Sequence, residues 1–207
     1  MNWIVIAAIV VLAYLTYTMM PNGKDHSKPD LSILDEDKEL KTAVFAGGCF
    51  WCTEAAFEMV PGVVEAVAGY TGGTVKNPTY EQVSSGKTGH YEAVKVYYNP
   101  DKLGFERLVN LFFQSIDPED GGGQFADRGT QYLTAAFYDN EQEKKVIEKV
   151  KSELVNSGKF DKIATETIPR STFYPAEEYH QDYHKKNSAS YKIYKRASGR
   201  SGYLEKK

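Results

Sequence analysis

Apolar and polar residues follow two different periods between residues 41 and 187, and each period predicts one kind of element. Short apolar or alternating runs predict five strands: Thr42–Ala46, Val63–Tyr70, Tyr91–Tyr98, Tyr132–Tyr138 and Lys162–Ile168. Apolar residues recurring at helical spacing, or helix-like runs, predict four helices: Phe50–Val60, Gly104–Ile116, Glu141–Ser157 and Ala176–Asn187. Segments 71–89 and 117–130 read as long glycine-rich loops, and segment 191–207 as a basic, loop-like tail.

The order of these elements indicates the fold. A strand–helix–strand unit is followed by a loop and a second strand–helix–strand unit, which is the pattern of the split βαβ fold. We therefore expect an α+β domain over residues 41–207, a two-layer αβ sandwich with a ferredoxin-like βαβ-βαβ core. Long loops in so compact a domain are more often functional than idle.

The N-terminal segment has a different character. Residues 3–20 (WIVIAAIVVLAYLTYTMM) carry no charge, and as a helix they would extend about 27 Å, close to the hydrocarbon thickness of a bilayer. No Lys or Arg precedes the run, and it ends without a clear small-x-small cleavage site. Residues 1–20 therefore favour a single-pass membrane anchor over a cleaved export signal, with the side of the membrane left open. Residues 21–40 are polar, contain two prolines and read as a linker.

Composition narrows the function classes. The net charge of −3 and the pI of about 5.9 give no reason to expect nucleic-acid binding, and nothing indicates an obligate partner, so we expect a monomer. Two cysteines are too few for a disulfide-stapled scaffold. Their C-x-x-C spacing is instead typical of redox or metal chemistry.

Both cysteines lie in the segment GGCFWC, between the first predicted strand and the first predicted helix. Backbone N–H groups and the helix dipole at such a junction favour a thiolate, so Cys49 is the candidate nucleophile. The alternative is a buried, inert thiol. Cys52 lies three residues on, near enough to resolve an oxidised Cys49 after local distortion, or it is simply a small core residue.

A zinc site is a further alternative for the C-x-x-C pair. It would need two more ligands, and His180 and His184 have the i, i+4 spacing of one helix face. They lie far along the chain from Cys52, and no second cysteine pair exists. We therefore expect no metal.

Four further polar residues are candidates for a pocket around Cys49. Glu92 lies just inside a predicted strand. It faces either solvent or the interior, where burial would raise its pKa and make it a proton donor near neutral pH. Tyr80 and Tyr132 lie at loop–strand junctions, where phenol groups can donate hydrogen bonds to a substrate oxygen. Asp127 either orients such donors or turns its loop.

Several of these segments together resemble the A-type peptide-methionine sulfoxide reductases. The resemblance starts at Gly47–Trp51 and covers about residues 41–187. It continues in order through PGV, GYTGG, NPTYEQV, TGHYEAV, DRGTQY and YHQDY.

The resemblance implies reduction of the S epimer of methionine sulfoxide, in oxidised proteins and in the free amino acid. It implies that Cys49 attacks the sulfur, that Glu92 supplies a proton and that Tyr80 and Tyr132 hold the oxygen. Phe50 and Trp51 would form an apolar wall. The resulting sulfenic acid would condense with a thiol to a disulfide, and a thioredoxin-like reductant would reduce that disulfide and restore the thiolate.

The chain departs from the family pattern in two respects. The tail carries no recycling cysteine, so the resolving thiol is Cys52 or comes from outside, and residues 1–40 lie outside the resemblance. Two other functions remain open from the residues alone: a general thiol–disulfide oxidoreductase, and a membrane-tethered metal-binding module.

Overall fold

The computed structural model describes residues 39–206. The predicted membrane anchor or signal at 1–20 and all but the end of the predicted linker lie outside these residues. Within the described range, no helix is both long and apolar enough to cross a bilayer.

Eight strands and seven α-helices follow one another along residues 41–204. The strands are β1 Lys41–Gly47, β2 Val63–Thr71, β3 Tyr91–Tyr98, β4 Gly123–Gln124, β5 Asp127–Arg128, β6 Thr134–Tyr138, β7 Glu166–Pro169 and β8 Tyr174–Pro175. The helices are α1 Phe50–Glu58, α2 Tyr80–Ser84, α3 Phe105–Ser115, α4 Glu141–Asn156, α5 Tyr183–Lys186, α6 Ser188–Ala197 and α7 Arg200–Leu204. Thr130–Tyr132 and Glu178–His180 form single 3₁₀ turns.

Six strands form one sheet in the order β7-β6-β1-β3-β2-β8. β1 runs antiparallel to both β3 and β6, β2 runs antiparallel to β3, and only β7 pairs in parallel, with β6. The central order β6-β1-β3-β2, with α1 and α3 as the connecting helices, is the split βαβ arrangement. The predicted α+β, ferredoxin-like core is confirmed.

The main core lies between the sheet and its helices. Phe45 of β1 is fully buried and stacks on Phe57 of α1 and Phe112 of α3, with ring centroids 5.1 and 4.9 Å apart. Alternate residues of β1 point to the other face of the sheet, where Val44 packs in a smaller cluster with Phe137. This packing fixes the start of α1, and with it Cys49, above the end of β1.

The C-terminal third differs most from the predictions. The single helix predicted over 176–187 is wrong, because Asp182 adopts a left-handed conformation (φ 54°) that separates the 3₁₀ turn from α5. The tail predicted to be loop-like instead forms α6 and α7. The two long loops also contain α2 and the β4–β5 hairpin.

Candidate active site

Cys49 occupies the N-cap of α1, at the sharp turn between β1 and α1. Its carbonyl oxygen accepts the backbone N–H groups of Cys52 and Thr53 at 3.1 and 3.3 Å, which closes the first turn. The preceding Gly48 has a φ of +77°, and a Cβ atom there would lie 2.5 Å from the Cβ of Gln124. Only glycine fits this position, so the glycine pair of the sequence motif is what delivers the thiol to the helix start.

One pocket of about 90 Å³ collects the residues predicted for substrate chemistry and one that was not predicted. It is lined by Cys49, Phe50, Trp51, Tyr80, Glu92, Asp127, Tyr132 and Tyr194. Cys52 lies outside this lining, among Ala55 and Tyr191.

Glu92 points inward from β3 and is 2% exposed. Its Oε2 accepts the backbone N–H of Phe50 at 3.0 Å. Burial raises the pKa of Glu92 to about 8; the Phe50 hydrogen bond lowers it, and the negative charge of Asp127 adds to the rise. Of the two orientations that the sequence left open, the interior one is observed, and the group is largely protonated at neutral pH.

The two predicted tyrosine donors are neutral phenols beside Glu92. Burial raises the pKa of Tyr80 and of Tyr132, and the charge of Glu92 raises both further. A hydrogen bond between the two hydroxyls partly offsets the rise at Tyr80. The backbone N–H of Tyr80 also donates to Glu177 at 2.8 Å, which fixes the start of α2.

The two thiols form an interacting buried pair. Burial raises the pKa of Cys49, a nearby Cys52 and Glu92 add to the rise, and a hydrogen bond from the Tyr194 hydroxyl opposes it. The hydrogen bond with Cys49 lowers the pKa of Cys52 to about 7, and the positive charge of Arg200 helps. Burial therefore opposes the thiolate that the sequence predicts at Cys49, whereas the hydrogen bond with Cys49 and the charge of Arg200 favour a thiolate at Cys52.

Three residues of the tail make contacts at the site that the sequence reasoning missed. Tyr194 donates a hydrogen bond to the Asp127 carboxylate, and its hydroxyl also reaches Cys49. Tyr191 packs against Cys52. Arg200 is 2% exposed and donates to the carbonyl oxygen of Gly47 at 2.8 Å. The i, i+3 spacing of Tyr191 and Tyr194 was the one available signal of a helix face.

The aromatic wall is held by the segment after β8. Trp51 stacks on Tyr183 with centroids 3.8 Å apart, and its Nε1–H donates to Nδ1 of His180 at 3.1 Å. Burial lowers the pKa of His180 to about 4, so the ring is neutral and can accept this bond.

The two histidines considered as zinc ligands have different partners. His180 accepts the bond from Trp51, whereas Nε2 of His184 lies 3.0 Å from a carboxylate oxygen of Glu58. Within residues 39–206, no three His, Cys, Asp or Glu side chains are grouped to hold a metal ion.

The family model and the most similar curated proteins all describe the same enzyme family. A family model described as peptide methionine sulfoxide reductase matches residues 41–207. The chain is 51% identical over 171 residues to the peptide methionine sulfoxide reductase MsrA of Halalkalibacterium halodurans, covering 82% of this chain and 97% of that protein. It is 49% identical over 172 residues to the MsrA of Bacillus subtilis, covering 83% and 96%.

Two solved structures of methionine sulfoxide reductases have a similar fold. The reduced form of Mxr1 from Saccharomyces cerevisiae superposes with a TM-score of 0.68 at 34% identity, covering 74% of this chain and 88% of that one. Methionine sulfoxide reductase A of Corynebacterium diphtheriae gives a TM-score of 0.67 at 33% identity, covering 77% and 80%. With the fold, the pocket and these relatives in agreement, the chain belongs to the peptide methionine sulfoxide reductase family and is an oxidoreductase that reduces methionine sulfoxide.

Proposed function

We propose that Cys49 removes the oxygen from the S epimer of methionine sulfoxide, in oxidised proteins and in the free amino acid, and so repairs oxidised methionine. The observation that carries the proposal is the buried carboxyl group of Glu92, held against the first turn of α1 beside Cys49. A neutral acid next to a thiol suits a reaction in which the sulfoxide oxygen must gain a proton while the sulfur is attacked.

In the proposed first step, Phe50 and Trp51 contact the apolar part of the substrate side chain, and Tyr80 and Tyr132 donate hydrogen bonds to the sulfoxide oxygen. Cys49 passes its proton to Cys52, with which it already shares a hydrogen bond, and attacks the sulfoxide sulfur. Glu92 protonates the oxygen. Asp127 accepts the hydrogen bond of the Tyr194 hydroxyl and so holds that hydroxyl beside the reacting thiol. The oxygen transfers to Cys49 as a sulfenic acid, and methionine leaves.

In the proposed second step, the Cys52 sulfur attacks the sulfenic sulfur of Cys49. An S–S bond forms, the S–O bond breaks, and the oxygen leaves as water after taking up a proton. A thioredoxin-like dithiol then reduces the disulfide, so the enzyme needs no bound cofactor. The lowered pKa of Cys52 supports this role, because a thiolate is the attacking form.

The decisive experiment is a single turnover of each sulfoxide epimer without a reductant. We expect one methionine per enzyme from the S epimer, none from the R epimer, and a mass loss of two hydrogens as the disulfide forms. Cys49→Ser should give no methionine. Equal yields from both epimers, or activity without Cys49, would contradict the proposal.

We also propose that residues 1–20 tether the enzyme to a membrane as a single span, with export after cleavage as the alternative. The support is the uncharged run at residues 3–20. Expressed as the full chain, the protein should stay in the membrane pellet after alkaline carbonate washing and dissolve in detergent. Recovery of intact protein in the carbonate supernatant would exclude an anchor.

A further inference from the structure

The two tail helices have a basic outer surface, although the chain as a whole has a net charge of −3. Residues 188–206 contain a single acidic residue, Glu205, and several basic ones: Lys192, Lys195, Arg196, Arg200 and Lys206. Only Arg200 among the basic residues is fully buried, where it donates to backbone carbonyl oxygens. The other positive charges therefore remain on the outside of the tail.

An open groove of about 470 Å³ follows these two helices. Its lining includes Lys192, Lys195 and Arg196 of α6, Ser201 of α7 and one carboxylate, Glu205. Lysine and arginine are the usual partners of phosphate groups in proteins, and a hydroxyl group can donate a further hydrogen bond. Three cations against one carboxylate make the groove complementary to an anionic group.

The charges on the outer face of α6 are not neutralised within the protein. Lys185 and Lys186 of the neighbouring α5 form ion pairs with Glu58 and Glu178, at 2.7 and 2.8 Å. Within residues 39–206, Lys192 and Arg196 form no such pair, and both are exposed. Their charge is available to a partner.

The same helix face contains an exposed apolar residue. Ile193 is 71% exposed and lies next to Lys192 in the chain. Because successive residues of an α-helix are about 100° apart, Lys192, Ile193 and Arg196 fall within about 100° of the circumference of α6. Basic and apolar side chains in this arrangement are typical of helices that lie at a membrane interface.

The other side of α6 builds the active site. Tyr191 packs against Cys52, and the Tyr194 hydroxyl bonds Asp127. By the helical repeat, both tyrosines lie roughly opposite the basic face. A surface that binds Lys192, Ile193 and Arg196 therefore does not compete with the side chains that do the chemistry.

The N-terminal segment is long enough to bring this face to a bilayer. Residues 21–40 would extend about 25 Å as a flexible linker after the uncharged run at 3–20. The domain begins at Lys41, and β1 covers about 20 Å from there to Gly47, where Arg200 attaches the tail. The linker therefore matches the distance between its attachment point and the basic face.

We propose that the outer face of α6 and α7 binds anionic lipid headgroups of the membrane that residues 1–20 enter. The inference builds on the single-span tether proposed above. It gives the domain a fixed orientation at the surface, with methionine sulfoxide residues of proteins at that surface as the substrates within its reach.

Lysine footprinting tests the proposal on the unmodified full chain. The protein is reconstituted into vesicles of phosphatidylcholine, with or without phosphatidylglycerol, and lysines are acetylated briefly with acetic anhydride and mapped by mass spectrometry. We expect Lys192 to react at least about threefold more slowly with phosphatidylglycerol present, and to lose this protection in high salt. Lys145, an exposed lysine on α4, is the control and should react equally in both. Equal rates for Lys192 in both vesicles would overturn the inference.

A fluorescent probe tests the position of Ile193. The full chain with Cys49→Ser, Cys52→Ser and Ile193→Cys is labelled and reconstituted with nitroxide-labelled lipids. The probe should be quenched at least about twofold more in vesicles with phosphatidylglycerol, and Lys192→Glu with Arg196→Glu should abolish the difference. A probe at Val155→Cys on α4 should show no difference. In the otherwise unchanged chain, the two charge reversals should leave single-turnover reduction in detergent unchanged, because neither residue lines the Cys49 pocket.

The outcomes separate this inference from the tether. Protein that resists carbonate washing, but has an unprotected Lys192 and an unquenched probe at position 193, would keep the tether and exclude the lipid-binding face. Protection of Lys192 in protein that carbonate removes would support the face and exclude the anchor. Protein that binds neither kind of vesicle would overturn both.

Discussion

The Glu92 carboxyl group accepts a hydrogen bond from the Phe50 backbone amide at 3.0 Å, which joins the middle of the sheet to the first turn of the helix that Cys49 caps. The hydrogen bond favours the charged carboxylate, yet burial dominates and the pKa of Glu92 rises to about 8. The acid and the thiol are thus held together by one backbone contact.

The first prediction concerns Glu92→Gln and pH. Because the protonated carboxyl is the proposed donor, the wild-type single-turnover rate should fall as the pH rises through about 8, where Glu92 ionises. The variant should react roughly 100-fold more slowly at neutral pH and lose that fall, since glutamine has no proton to lose there. Stopped-flow measurement of methionine release from pH 6 to 9.5 gives the rate at neutral pH and its change with pH for both proteins.

Glu106→Gln, which changes an exposed ion pair on α3, is the matched control and should retain the wild-type profile. A wild-type rate that does not change between pH 7 and 9 would remove Glu92 from the donor role.

The second prediction concerns stability. A carboxyl group whose pKa is higher in the folded protein than in the unfolded chain costs stability as the pH rises from its unfolded value, 4.5, to its folded value, about 8. Over that window the free energy of unfolding of wild type should fall relative to Glu92→Gln by up to about 1.4 kcal/mol per pH unit.

Urea denaturation of both proteins at several pH values measures this difference. Since Gln can still accept the Phe50 N–H, the variant should fold normally. A constant difference between the two proteins from pH 5 to 8 would mean that the carboxyl is not perturbed.

The third prediction concerns Tyr194→Phe. The Tyr194 hydroxyl lowers the pKa of Cys49, so its removal should raise that pKa further and slow both alkylation of Cys49 and single-turnover reduction, by about tenfold. The measurement is the pH dependence of iodoacetamide labelling in a Cys52→Ser background. Tyr138→Phe, on the far strand β6, should behave as wild type; equal labelling curves for all three proteins would contradict the assigned hydrogen bond.

The fourth prediction concerns Gly48→Ala. The added Cβ would meet Gln124 at 2.5 Å in a backbone conformation with φ +77°, so the turn must shift. We expect a loss of stability of about 1–3 kcal/mol and a much larger loss of activity than of stability, because the shift displaces Cys49. Gly202→Ala meets no atom within 4 Å and should change neither quantity. Thermal denaturation and steady-state assays compare the two.

The fifth prediction concerns Cys52→Ser. If Cys52 resolves the sulfenic acid, the variant should still release one methionine per enzyme, more slowly because the proton acceptor is lost. It should then stall with a dimedone-reactive Cys49. Turnover supported by a protein dithiol should fall at least about tenfold. Unchanged turnover would assign the resolving thiol to the external reductant.

The elements that position Cys49 and Glu92 follow from local sequence patterns, whereas the orientation of Glu92 does not. The strand before Gly47-Gly48, the helix after Cys49 and the strand containing Glu92 all have strong local patterns, and their positions were predicted within a few residues. The inward orientation of Glu92 was not predictable, since one strand pattern allows either face until its neighbours are known.

The two helices of the tail were not predicted, and the reason is physical. The buried positions of α6 and α7 are filled by tyrosine and arginine, residue types that a hydrophobicity pattern counts as polar or mixed. Their burial depends on tertiary contacts, such as that of Tyr194 with Asp127, which sequence spacing does not reveal.

The hydrogen bond from Arg200 to the Gly47 carbonyl joins residues 153 positions apart in the chain. A contact of such separation exists only when the chain between its two residues is folded. A half-folded molecule therefore carries two ordinary cysteines, and the special acidity of the thiol pair is a property of the finished tertiary structure.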